Sequence, residues 1–176
     1  AKVYRNHKLN GKAKAMIVTK DIECAIHYYT ALQKIASDKN LPYNILIAFS
    51  GTKEIDGKEY TEAGLNGFPE SQTADEFEKD ENRILVVANK YLTGFDQPKL
   101  CAMYLDKVIA NEVEVVQTLS RLNRTTTGKD QTFVIDFVND PEWILKCFKK
   151  YDNGAKIVDV QDPNVVYTIK DNIEEL

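Results

Sequence analysis

Short apolar runs alternate with helix-like patterns along this chain, and that alternation limits its fold more than any other feature. Ala15–Thr19, Ile45–Phe49, Ile84–Ala88, Cys101–Leu105 and Thr132–Phe137 are each too short for a helix and rich in aliphatic or β-branched residues. They read as buried strands. Between the first two, Ile22, Ala25, Ile26, Tyr29 and Leu32 follow helical spacing. Strands that alternate with helices build βαβ units, and these give a mostly parallel sheet with helices on both faces. There is no internal repeat and no low-complexity tract.

Two regions break the rhythm. Thr52–Thr61 holds Asp56-Gly57 between short flanks, which predicts a hairpin. The stretch onward to Gln72, with Gly64, Gly67 and Pro69, is expected to leave the sheet edge. Later, Asp140-Pro141 pairs an N-cap with proline at the first helical position, and Gly154 can end that helix. Asp162-Pro163 repeats the device ahead of a short helix toward Glu174. We therefore expect an α/β unit over 1–139 and a short C-terminal helical extension over 140–176, the start of a further helical segment.

A chain of 176 residues suits one domain with a small appendage. Its apolar runs are too short to span a membrane, and no secretory segment opens it, so a cytoplasmic protein is expected. Cys24, Cys101 and Cys147 are odd in number and widely spaced, as reduced thiols would be. The net charge of −4 argues against a simple nucleic-acid-binding module. Its distribution is uneven, because residues 1–20 carry six cations and no acid while 52–82 hold ten acids against three lysines. A basic end and an acidic flank suit one surface near a polyanion and another in water, although solvated charge alone would look the same.

Val115–Thr125, VVQTLSRLNRT, is the most informative stretch for function. On a helix Gln117, Arg121 and Arg124 fall at i, i+4 and i+7, opposite Val115, Leu119 and Leu122. Asn111 and Glu114 form a capping-box pattern that starts this helix at Glu112. Two guanidiniums in register suit an anion with several oxygens, such as phosphate; an ordinary solvated face would use the same residues. Upstream, the loop after Ile84–Ala88 contains Gly94, Asp96 and Pro98 and sits at the carboxyl edge of a parallel sheet, where ligands bind. A plain turn would also use these types.

The order AMIVT, ILIAFSG, RILVVANKYLTGFDQP, VVQTLSRLNRT resembles the second RecA-like lobe of a superfamily 2 helicase. More narrowly it resembles the motor (R) subunit of type I restriction enzymes, through TGFDQP at 93–98, QTLSRLNRT at 117–125, GFPES at 67–71 and DPNVVYTIK at 162–170. That resemblance covers nearly the whole chain. It implies that Arg121 and Arg124 approach the γ-phosphate of a nucleotide held by a partner lobe, with Gln117 the polar residue ahead of them. Gly94 and Asp96 match the loop that meets the sugar or Mg²⁺ shell. Thr19, Lys20, Ser50 and Gly51 match lobe edges that touch the DNA backbone. Ala88 departs from the threonine of many relatives, which removes a hydroxyl from that loop.

The resemblance further implies ATP and Mg²⁺ in a full protein, none tightly bound to this piece. Duplex DNA, the first RecA-like lobe and the modification and specificity subunits would be its partners. The chain has no phosphate-cradling loop: Gly51 to Gly57-Lys58 is one residue too long and ends in Glu59. No Asp-Glu run follows an apolar strand to hold Mg²⁺, so the lobe is expected to be inactive alone. No metal site is expected, since Cys24-x-x-His27 has no second pair. His7, Asp136 and Asp140 likewise lack partners at useful spacing. The competing readings are a second lobe from another superfamily 2 helicase, a freestanding nucleotide-binding module, and a subunit-docking domain acting through Asn153–Leu176.

Overall fold

A computed structural model describes residues 9–91, 94–129 and 132–149. Five parallel strands form the sheet: β1 (Lys14–Thr19), β2 (Asn44–Ala48), β5 (Asn82–Ala88), β6 (Leu100–Asp106) and β7 (Phe133–Asp136), in the order β2-β5-β1-β6-β7. All five apolar runs are strands. β3 (Thr52–Ile55) and β4 (Lys58–Thr61) pair antiparallel apart from this sheet. Asp56 and Gly57 both have positive φ (51° and 76°), the type I′ geometry that a two-residue hairpin turn requires.

Side chains of β1 alternate between two cores because successive residues of a strand face opposite ways. Ile17 faces α1 (Ile22–Asp38), which buries Ala25, Ile26 and Tyr29 beside Ile47, Phe49 and Val86. The α1 helix starts where Asp21 accepts the Cys24 N–H at 2.8 Å. Met16 and Val18 face the other layer. That layer comprises Phe77 of α3 (Thr73–Glu78), Val115 and Leu119 of α4 (Glu112–Leu119), and Ile144 and Cys147 of α5 (Pro141–Lys149). Each large aliphatic or aromatic side chain buried this way contributes roughly 1.5–3 kcal/mol. The helix after residue 139 thus packs into the same core as the sheet. The expected elements around Gly154 and Asp162 lie outside the described residues.

The segment expected to wander from the sheet edge is more ordered than its glycines suggest. It forms α2 (Glu62–Asn66), closed by Gly67 in a left-handed cap, then a short 3₁₀ turn and α3. α2 lies along the outer edge of β2 and occupies its backbone groups. Asn66 accepts from Ile47 N at 3.0 Å and donates to Ile47 O at 2.7 Å. Gln33 donates to Ile45 O at 3.2 Å, and Glu62 accepts from Phe49 N at 2.7 Å. Side chains thus take the place of a further strand.

One described cation of the basic end, Lys14, is not at the surface. Lys14 is fully buried, and its Nζ donates to the carbonyls of Lys79 (2.7 Å) and Asn82 (2.6 Å) above the Phe77 ring. Burial, with Lys99 and Arg83 nearby, lowers its pKa to about 8. Lys12 pairs with Asp80. No described helix is long and apolar enough to cross a membrane.

Candidate functional site

Strand order places the site. The chain lays β2 and β5 on one side of β1, then crosses to β6 and β7 on the other. The carboxyl end of β1 therefore lies between the loops that leave β5 and β6, where ligands of open parallel sheets bind. The β5 loop is bent sharply. Asn89 (φ 58°), Tyr91 (φ 63°) and Gly94 (φ 70°) are all left-handed. Asparagine and glycine tolerate this, whereas tyrosine pays a steric penalty.

Residues 94–97 then alternate as a strand would. Gly94 and Asp96 are exposed, while Phe95 and Gln97 are each 5% exposed. Phe95 sits 4.8 Å from the Tyr91 ring and 6.0 Å from Phe77, centroid to centroid. Gln97 turns inward and its Oε1 accepts from Lys99 N at 3.2 Å. Two buried anchors thereby hold Gly94 and Asp96 toward solvent.

The arginine segment meets this loop. α4 begins at Glu112 as expected, with Asn111 accepting from Glu114 N at 3.0 Å. Val115, Leu119 and Leu122 are buried. The helix does not continue to Arg124, however. It stops at Leu119 and tightens into a 3₁₀ turn over Ser120–Asn123, after which Arg124 is extended (φ −64°, ψ 127°). The i, i+4, i+7 face therefore exists only in part, because the last position leaves the helix. The two arginines nonetheless stay on the same loop. Arg121 Nη1 donates to Phe95 O at 3.1 Å, and its Nε is buried without a hydrogen-bond partner. Arg124 Nε lies 3.3 Å from Asp96 Oδ1, with both side chains more than half exposed. Gln117 is exposed one turn before. The structure therefore brings Arg121, Arg124, Gly94 and Asp96 together, with cationic N–H donors at an accessible rim.

The four residues expected near a nucleic-acid backbone separate into two kinds. Lys20, Ser50 and Gly51 are exposed at the carboxyl ends of β1 and β2. Thr19 is buried, and its hydroxyl lies within hydrogen-bond distance of Val87 O (3.1 Å) and Asp21 O (3.0 Å). It shapes the strand-to-helix turn, and a direct side-chain contact to a ligand does not fit that placement. Ala88 pairs in register with Thr19 and is buried too.

Two nodes escaped the sequence reading. Lys107, just beyond β6, contacts Asn89 Oδ1 (3.2 Å) and Glu114 Oε1 (2.8 Å), linking the β5 loop to the start of α4. That lysine and the Ala110 N–H hold the Glu114 carboxyl below its usual range. Glu62 is fully buried and accepts from Phe49 N, Thr73 Oγ1 and Lys90 Nζ. Burial lowers the Lys90 pKa, but the Glu62 carboxylate outweighs it and the net shift is upward. Among the described residues no three His, Cys, Asp or Glu side chains cluster as a metal site. The donor set at the rim is cationic and fits an anion.

Known proteins resemble this chain in sequence and in fold. Residues 57–139 match the family described as type I restriction enzyme subunit R domain 3. A putative type I restriction enzyme MjaIXP endonuclease subunit from Methanocaldococcus jannaschii is 28% identical over 145 residues, 81% of this chain and 13% of that protein. The chain spans only 11–14% of the curated relatives it matches. A fragment of a putative HsdR subunit of a type I restriction enzyme from Vibrio vulnificus YJ016 superposes with a TM-score of 0.55 at 22% identity, covering 72% of this chain and 23% of that one. The C-terminal domain of the DEAD-box protein Dbp5 superposes with a TM-score of 0.53 at 18% identity, covering 93% and 83%.

Sheet order and neighbours give the chain a RecA-like α/β fold, the fold of helicase C-terminal lobes. In sequence it is similar to the R subunits of type I restriction enzymes.

Proposed function

We propose that this chain is the second motor lobe of an ATP-dependent duplex-DNA translocase in a type I restriction-modification endonuclease. One observation carries the reading. Two guanidiniums and the Gly94–Asp96 loop, 25 or more residues apart in sequence, share one accessible rim at the sheet's switch point. Arg124 presents a charge-assisted fork to a phosphoryl oxygen, and Arg121 braces the loop through Phe95 O while its other terminal amino group, Nη2, stays available. Gln117 and the Gly94 backbone add polar contacts, and Asp96 holds Arg124 in place until an anion competes for it.

ATP, with Mg²⁺, would supply the phosphoryl group whose transfer to water drives the cycle. The first RecA-like lobe of the same protein would hold it. Lys20, Ser50 and Gly51 would touch the DNA backbone, and the modification and specificity subunits would complete the assembly. The test is Arg124→Ala in the full motor subunit. Loss of an arginine acting across a cleft removes about 10³–10⁵ of hydrolysis rate. ATP-driven translocation is expected to vanish while the lobe stays folded by circular dichroism. A folded variant with wild-type ATPase would refute the assignment.

A further inference from the structure

The buried Glu62 carboxylate stands between two parts of the lobe that the motor reading assigns to different ligands. Its Oε2 accepts from Phe49 N at 2.7 Å, one residue before the exposed Ser50–Gly51 turn. The same oxygen accepts from Lys90 Nζ at 2.8 Å, at the root of the loop that carries Gly94 and Asp96. Its other oxygen accepts from Thr73 Oγ1 at the start of α3. The carboxylate is thus fixed from three directions and cannot shift without moving at least one of them.

Lys90 has left-handed neighbours on both sides, Asn89 (φ 58°) and Tyr91 (φ 63°). Those two positions bend the backbone, and at tyrosine the bend persists only because surrounding contacts hold it. Lys90 supplies one, pairing with Glu62 and more distantly with Glu70 at 3.7 Å. Tyr91 supplies another by stacking near Phe95, whose carbonyl receives Arg121. A continuous line of packed and hydrogen-bonded groups therefore runs from the Ser50 turn through Glu62 and Lys90 to the arginines.

We propose that Glu62 is a positioning residue that, through Lys90, couples the Ser50–Gly51 turn to the nucleotide-facing loop. This rests on the motor reading above. Displacement of the turn by a DNA backbone pulls on Phe49 N, moves the buried carboxylate, and relaxes or tightens the strained Lys90 segment. An ion pair to a fully buried carboxylate has a use beyond stability here, since Glu62→Gln with Lys90→Met removes both charges and severs the line while the amide oxygen can still accept from Phe49 N.

The experiment uses the full motor subunit with its partner subunits, duplex DNA and ATP. It measures ATP hydrolysed per base pair moved, the KM for ATP, and the melting temperature, for wild type and for Lys90→Met, Lys90→Arg, Glu62→Gln and the Glu62→Gln/Lys90→Met pair. Networks of this kind carry coupling equivalent to about 2- to 30-fold. Lys90→Met and Glu62→Gln are expected to raise ATP use per base pair within that range, Lys90→Arg to restore it, and the double variant to be no worse than either single. The double variant removes both charges together, so it remains informative if a lone buried charge unfolds a single variant. Wild-type ATP use in folded Lys90→Met, additive defects in the double variant, or defects that track melting temperature alone would overturn the proposal. A wild-type protein that does not move on DNA would instead overturn the motor reading itself.

Discussion

Arg124 Nε rests 3.3 Å from Asp96 Oδ1 across 27 residues that separate the two in sequence, and both side chains remain more than half exposed. An exposed pair of this kind contributes less than about 1 kcal/mol, because water screens it and both side chains lose rotamer freedom. Urea denaturation of Asp96→Ala, Arg124→Ala and the double variant should therefore give a coupling energy below about 1 kcal/mol. A coupling above about 2 kcal/mol would mean that the pair is structural and cannot release Arg124 to a ligand.

Phe95 behaves oppositely. It is buried between Tyr91 and Phe77, so Phe95→Ala should cost about 3–5 kcal/mol of unfolding free energy. The same change should loosen Gly94 and Asp96, seen as faster amide exchange in residues 94–97. Stability within about 1 kcal/mol of wild type would show that the loop is not anchored there.

Gly94 has φ +70°, and a Cβ added to it would meet nothing within 4 Å. Gly94→Ala should therefore cost about 1–2 kcal/mol from the backbone alone, with no clash to relieve. A d-alanine introduced at 94 by peptide ligation should be tolerated without that cost. Equal destabilisation by both enantiomers would place the penalty in packing.

Lys14 gives the lobe a pH dependence with a definite sign. Its folded pKa is lowered to about 8 from an ordinary 10.5, chiefly by burial. Below pH 8 the folded and unfolded chains both carry the proton, and the buried charge costs stability in full. Between pH 8 and 10.5 the unfolded state binds more protons, so this contribution to stability rises with pH. The stability of wild type minus that of Lys14→Met should accordingly increase from pH 8 to about 10, followed by urea titrations at each pH. A flat or falling difference would show that the ammonium is not desolvated.

How far the sequence could be read depends on the distance between partners. The strands were legible because their apolar runs are contiguous, and the Asp56-Gly57 turn because its conformation is set by two adjacent residues. The helix start at Glu112 was legible for the same local reason. Its end was not. Val115, Leu119 and Leu122 keep apolar spacing through the 3₁₀ turn, so periodicity carries Arg124 onto a helix that has already stopped. Glu62 gave no signal at all. In a first helical turn within an acidic stretch it reads as a solvated charge, and its partners Phe49, Thr73 and Lys90 lie 13, 11 and 28 residues away. Lys14 was counted among surface cations for a similar reason, since the carbonyls that hold it come from Lys79 and Asn82.

The occupied margin of β2 has a consequence for how the lobe behaves among its own copies. Gln33, Asn66 and Glu62 claim the outward N–H and C=O groups that a stray strand would need to dock. Self-association through that flank is closed off by amide and carboxylate side chains, with no proline or bulge required. Asn66→Ala would reopen two of these groups at Ile47, and concentrated samples of that variant should bind thioflavin T sooner than wild type.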